Sequence, residues 1–457
     1  MAVAVRKDKY QIDMCRGPLK KQIITFAIPL VLSGLLQIFF HAADLIVVGR
    51  FASHRALAAV GSTGSLTMLI INVFLGMSIG TNVLVARYLG EKNRKEVSKT
   101  VHTAILFSLL AGGVMAVFGI CLSHIFLEWM KTPDDVIDMA SLYMRIYFAG
   151  MPVVLLYNYG SSIMRASGDT KRPFYFLVVG GIINVVLNLF FVIVCGMDVG
   201  GVALATIISQ AVSAAMIVRA MSKMSRGCRL HWNKLKIHWR NLREILWLGV
   251  PAGFQSSCFS LANILIQSSL NSFGSEVMAG SAAAVQWEGF LFVSSTALGH
   301  TMVSFVGQNL GGKQYKRIRQ SIKYGLIITV IFTIAVSVIF LIFREPMMAM
   351  FNTNPEVIKW GIVRFWISLP LQWACAVMEI ETGALRGLGC SIGPTIIMIF
   401  GVCVFRIVWL VTVFKIFHTY AVLMWSFPLS WVLVMVIAGF YLHYLLKKYP
   451  AGNLKQA

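Results

Sequence analysis

Tyr88-Leu89-Gly90-Glu91-Lys92-Asn93-Arg94-Lys95 returns as Asn309-Leu310-Gly311-Gly312-Lys313-Gln314-Tyr315-Lys316, 221 residues downstream. The same shift carries Arg165-Ala166-Ser167-Gly168, with Pro173 behind it, onto Arg386-Gly387-Leu388-Gly389 with Pro394. Ala27-Ile28-Pro29-Leu30 answers Gly249-Val250-Pro251-Ala252 at nearly that spacing. Three separated motifs at one near-constant shift mean that a unit of about 220 residues occurs twice, and internal duplication in an apolar chain is a mark of transporters.

The apolar character is plain. Of the 457 residues 58% are hydrophobic and 13% charged, against roughly a quarter charged in soluble domains. The net charge of +22 invites a nucleic-acid reading, but Lys and Arg fall in short clusters between long apolar runs and make no basic face or tail. No nucleic-acid partner is expected. The eight cysteines show neither CxxC nor Cys/His ligand spacing, so neither a disulfide framework nor a metal site follows from them. The N-terminus is basic up to Lys21 and then apolar from about Ile23 to Val48, too long for a signal-peptide core, and reads as a retained first span.

A hydrocarbon core of about 30 Å takes roughly 20 apolar residues in a helix. Twelve segments qualify: 23–48, 57–86, 100–127, 137–160, 172–196, 199–223, 243–272, 277–307, 320–344, 355–384, 392–416 and 419–447. Backbone groups in lipid must bond within their own segment, so the spans are helices. The expected fold is an all-α membrane protein of twelve transmembrane helices in two six-helix bundles related by a parallel pseudo-two-fold repeat. Its parts are a first lobe 1–223, a cytoplasmic linker 224–242 and a second lobe 243–457. Of the 40 Lys and Arg, 31 fall on one side of these spans, which puts both termini in the cytoplasm of a multi-pass protein of the inner (plasma) membrane. An even number of spans per repeat makes the copies parallel, with a cavity between the lobes opening to either face in turn.

Ionisable groups inside spans cost about 2.5–3.5 kcal/mol each and are functional candidates by default. Four carboxylates qualify: Asp44 in span 1, Glu288 in span 8, and Glu379 and Glu381 in span 10. The last two stand about 200° apart on their helix, so only one faces a given cavity. Glu379 is preferred because the repeat maps it onto the polar Asn158, whereas Glu381 maps onto Gly160 and is expected to pair with a base near the cytoplasmic end. Span 5 places Asn184 and Asn188 at i, i+4 on one face, and span 6 follows with Thr206, Ser209 and Gln210. With Asp44 these make an oxygen-rich group suited to Na⁺ or to a proton relay. Polar glue between helices is the plainer reading of any one of them. Trp287 beside Glu288 suits a cationic aromatic substrate, while most of the 23 Met, 11 Trp and 30 Phe face lipid or pack helices. Arg406 stands as the only base well inside a span.

The chain resembles the multidrug and toxic compound extrusion (MATE) family over nearly its whole length. The resemblance rests on Asp44-Leu45-Ile46-Val47-Val48-Gly49-Arg50 with Ala58-Ala59-Val60-Gly61, on Gly307-Gln308-Asn309-Leu310-Gly311, and on Ala384-Leu385-Arg386-Gly387 with its partner Met164-Arg165-Ala166-Ser167-Gly168. It implies two six-helix bundles in a V that export organic cations in exchange for Na⁺ or H⁺, with no other cofactor. It also implies membrane lipid and small cationic molecules as partners, and a functional monomer. By position Asp44 resembles the family's cation-coupling aspartate, and Asn184, Asn188 and Thr206 match polar positions of the same lobe. Glu288 and Glu379 fall where related transporters place acids. Two departures count: Asn188 stands where some members have an acid, and Phe259 lies near the span-7 glutamate of Na⁺-coupled NorM-type members. The pattern is nearer the DinF-like side. Two rivals remain at this point. A flippase for lipids or polyprenyl-linked sugars would need a cavity lined with Arg and Lys, and a membrane-embedded glycan-processing enzyme would need a large polar loop or a clustered His/Asp motif. No nucleotide-binding glycine loop exists.

Overall fold

The computed structural model describes residues 10–51, 54–130, 132–225 and 227–449. The two chain ends, which the charge count assigns to the cytoplasm, lie largely outside them. The described residues are almost entirely helical and contain no strand. Among the described residues eleven helices are long and apolar enough to cross a membrane, or twelve with one bent pair counted as a span. In order they are span 1 (Leu19–Phe51), span 2 (His54–Gly90), span 3 (Arg94–Trp129), the bent span 4 (Asp134–Ala149 and Met151–Ala166), span 5 (Lys171–Val194) and span 6 (Asp198–Met221). The second set is span 7 (Trp239–Phe273), span 8 (Ser275–Gly311), span 9 (Tyr315–Ile342), span 10 (Pro355–Gly387), span 11 (Ile392–Phe417) and span 12 (Tyr420–Lys447). The count and the all-helical class agree with the apolar runs.

Span 4 turns by 47° at Gly150, where Pro152 removes the amide that would have continued the ladder. Span 10 is interrupted by a tight turn at Leu369–Leu371, around Pro370. The two copies of the quoted motif fold into the same turn. Lys92 and Lys313 both adopt the left-handed backbone (φ 58° and 53°), as do Gly168 and Gly389 at the second motif (95° and 86°).

Two compact units result, with borders that fall inside spans 1 and 7 and not in the connections between spans. One comprises residues 10–13 and Ile28–Gly253; the other comprises Met14–Ala27 and residues 254–449. Within the first, the beginning of span 7 packs on span 2 through glycines: a Cβ on Gly76 would meet the Gly253 backbone at 2.2 Å, and one on Gly80 the Ile245 carbonyl at 2.2 Å. Such spacing lets backbones touch where lipid offers no hydrophobic drive. Within the second, the start of span 1 lies on span 8. Phe26 meets Phe305 edge-on at 5.5 Å, and Asn309 Nδ2 and Arg317 Nε donate to the Met14 carbonyl. Spans 1 and 7 therefore each change unit part-way along, next to Pro29 and Pro251.

Candidate functional site

Span 5 carries the glycine pair Gly180–Gly181, and each member admits a different neighbour. A Cβ on Gly180 would strike Ser213 Oγ of span 6 at 2.1 Å, and one on Gly181 would fall 1.7 Å from the Phe40 ring of span 1. The pair thus lets spans 1 and 6 approach span 5 on adjacent faces, about 100° apart around the helix. One turn beyond Phe40 is Asp44; one and two turns beyond Gly180 are Asn184 and Asn188. The outcome is a continuous polar chain. Asn188 Nδ2 donates to Asp44 Oδ1 at 2.5 Å and to Asn184 Oδ1 at 3.3 Å. Asn184 Nδ2 donates to Thr206 Oγ1 at 3.3 Å, and that hydroxyl donates to the Val202 carbonyl at 2.9 Å. Both asparagines are buried, and Asn188 Oδ1 has no hydrogen-bond partner among the described residues. Tyr143 and Tyr147 of span 4, stacked at 6.1 Å, lie within the field of the Asp44 carboxylate. The four residues named from the sequence are thus brought together, with an open acceptor at their centre. One carboxylate, two amides and one hydroxyl carry oxygens of the kind that can ligate a small hard cation, and a carboxylate can also hold a proton.

The remaining candidates each have partners of their own. Glu288 is in a buried ion pair with Arg364 of span 10: Arg364 Nη2 lies 2.8 Å from Oε2 and its Nε 3.0 Å from Oε1, while Ser368 Oγ donates to Oε1 at 2.5 Å. Arg364 Nη1 also donates to Ser281 Oγ at 2.8 Å. Trp287 turns away into an aromatic cluster with Phe290, Phe340 and Phe351, its indole N–H on the Met347 carbonyl at 3.1 Å. Glu379 lies against Gly299 of span 8, in the field of Arg386, which donates to Gln255 Oε1 at 2.7 Å. Asn158 Nδ2 bonds the Val154 carbonyl of its own helix at 2.8 Å. Glu381 is buried against Gly439 of span 12, its Oε2 without a hydrogen-bond partner among the described residues. The base expected to pair with it is not found among the described residues.

A single family model, MatE, matches the chain twice, over residues 29–190 and 251–412. The chain belongs to the MatE family. The two matches fall one on each repeat, as the shift between the quoted motifs requires. Among similar proteins, "Probable multidrug resistance protein YoeA" of Bacillus subtilis is 30% identical over 82% of this chain and 83% of its own length. "Probable multidrug resistance protein NorM" of Thermotoga maritima is 24% identical over 83% and 82%. A solved structure described as the outward-facing conformation of a multidrug resistance MATE family transporter shares the fold with a TM-score of 0.90 at 20% identity, covering 97% of this chain and 99% of the other. As a MatE protein the chain is a multi-pass bacterial membrane transporter of a multidrug efflux family.

Within this MatE chain the sequence reading missed two things. Arg406 is not the only base deep in a span, because Arg364 is equally enclosed; the charge count placed Arg364 with the outer loops. Tyr143 and Tyr147 were passed over as well. The repeat held the signal for both, since Tyr143 and Tyr147 map at the 221 shift onto Arg364 and Ser368.

Proposed function

We propose that this protein is a secondary multidrug antiporter of the bacterial inner membrane, exporting cationic and amphipathic organic compounds in exchange for H⁺ or Na⁺, with both termini in the cytoplasm. The observation that carries the reading is the chain Asp44–Asn188–Asn184–Thr206, which holds at Asn188 a buried acceptor without a partner among the described residues. A bound cation or proton on the Asp44 carboxylate neutralises a charge that is otherwise expensive at this depth. Its release leaves an anion that attracts the next cation. The amides of Asn184 and Asn188 turn with the occupant, supplying oxygens to Na⁺ or N–H groups to the ionised carboxylate. Glu379, Glu288, Asn158 and Trp287 are proposed to take part in holding substrate or cation in spans 4, 8 and 10. The buried Glu288–Arg364 pair gives Glu288 a fixed orientation there.

The test is ethidium flux in proteoliposomes under an imposed gradient of H⁺ alone or Na⁺ alone. One of the two gradients is expected to drive ethidium accumulation in parent protein but not in Asp44→Asn. Accumulation by the variant at the parental rate would remove Asp44 from coupling. Failure of both gradients to drive the parent would remove antiport.

A further inference from the structure

The Asp44 site has a counterpart in the other unit, and its charge is opposite. In the second repeat Ser209 becomes Ser430 and Thr206 becomes Phe427 at the 221 shift, while Gly180 becomes Gly401, which faces Val434 where Gly180 faces Ser213. Span 11 then departs from span 5. A π turn over Ile399–Val404 precedes the equivalent of Asn184, and span 5 has no such turn before it. A π turn inserts one residue and rotates everything after it. It therefore puts Arg406, not Phe405, in the place of Asn184. The contacts agree: as Asn184 bonds Thr206, Arg406 lies over the Phe427 ring with its guanidinium carbon 4.2 Å from the centroid, and its Nε donates to Ser430 Oγ at 3.0 Å. The position of Asp44 is taken by Ile266, at the shift that aligns Pro29 with Pro251.

Arg406 is 3% exposed and has no carboxylate partner among the described residues. Its other contact is a long one, Nη1 to Asn263 Oδ1 at 3.5 Å. The second base here, Arg364, stands 5.2 Å from the same Phe427 ring, but its charge is matched by Glu288. The Arg406 guanidinium is thus left without a carboxylate partner at this cluster. A buried guanidinium without a counter-ion is costly, and packing does not explain it, since an apolar side chain of the same volume would serve as well or better. The planar fork of Arg matches a carboxylate, and the Phe427 face beside it gives an apolar platform.

We infer that Arg406, Ser430, Asn263 and Phe427 form a second ligand site, specific for the carboxylate of an amphiphilic organic anion or zwitterion. The protein then takes substrates that bear a negative group, a class outside the cationic compounds proposed above. The site is a matter of binding alone, so it stands or falls whether or not the chain is an antiporter.

The experiment compares two ligands with the same ring, 1-naphthoate and neutral 1-naphthylmethanol, binding to full-length protein in phosphatidylcholine nanodiscs without any ion gradient. Parent protein is expected to prefer the carboxylate by roughly tenfold or more, as charge-assisted hydrogen bonds allow. Arg406→Met should bring the two ligands to within about twofold, while Arg406→Lys, which keeps the charge and loses the fork, should retain part of the preference. Thermal unfolding and gel filtration identify a variant that has failed to fold, and the Lys variant then carries the test. Equal binding of both ligands by the parent, or an undiminished preference in Arg406→Met, overturns the site. Displacement of naphthoate by inorganic phosphate or by phosphatidylglycerol at lower concentration than by unlabelled naphthoate overturns the carboxylate assignment in favour of a phosphate or lipid headgroup.

Discussion

The turns at the ends of the spans and the polar groups inside them have fared differently since the duplication. In the turn after span 2, Lys92 N–H bonds Leu89 O at 3.1 Å and Asn93 N–H bonds Tyr88 O at 3.0 Å. After span 8, Lys313 N–H bonds Leu310 O at 3.0 Å and Gln314 N–H bonds Asn309 O at 2.8 Å, residue for residue the same turn. Inside the spans, Asp44, Thr67, Tyr143 and Thr206 stand where the second copy has Ile266, Glu288, Arg364 and Phe427. A turn is fixed by backbone geometry, which tolerates few alternatives. An interior polar group needs only a satisfied partner, so one copy can keep an acid among amides while the other acquires the ion pair of Glu288 with Arg364.

Several substitutions bear on that contrast. The largest effect is expected from Asp44→Asn, which should abolish gradient-driven ethidium export while leaving the thermal unfolding temperature near that of the parent. An acid placed at the matching Ile266 should not restore it. Next comes Arg364→Met, which strands Glu288 as a buried unpaired anion and should cost about 3–5 kcal/mol by chemical denaturation. The double variant Arg364→Met, Glu288→Gln should recover most of that loss, and an unrecovered double would show that the pair does more than balance charge. Gly181→Ala drives a methyl into the Phe40 ring and should cost about 1–3 kcal/mol. It should also weaken export more than Gly401→Ala does, because only Gly181 seats the helix that carries Asp44. The smallest effects belong to the turns: Lys92→Gly and Lys313→Gly each relieve a left-handed residue and should stabilise by about 0.5–1 kcal/mol. Unequal gains would mean that the two turns are less alike than their hydrogen bonds.

Much of this was legible in the sequence because the controlling physics is local. Lipid demands long apolar helices, so the spans could be bounded from composition. Asn184 and Asn188 share a face by helical periodicity alone, and Asp44 reaches them because Gly180 and Gly181 leave room. What escaped depends on events that leave little trace in residue type. The π turn in span 11 moves Arg406 into the place of Asn184 by inserting one residue, which a fixed shift of 221 cannot follow. Arg364 lies close enough to the start of its span to be counted as a loop residue, and only the fold shows it enclosed with Glu288. Glu381 was expected to find a base, yet its neighbour is Gly439.

Spans 1 and 7 each begin in one compact unit and finish in the other. Neither repeat, expressed alone, contains its whole folding unit: a fragment ending in the 224–238 stretch lacks the part of span 7 that seats on Gly76 and Gly80, and its complement lacks the strip of span 1 that seats on Phe305 and Asn309. By the same packing, a half-length ancestor would have lent the opening turns of its first helix to a twin copy. Fusion into a single chain made that loan permanent.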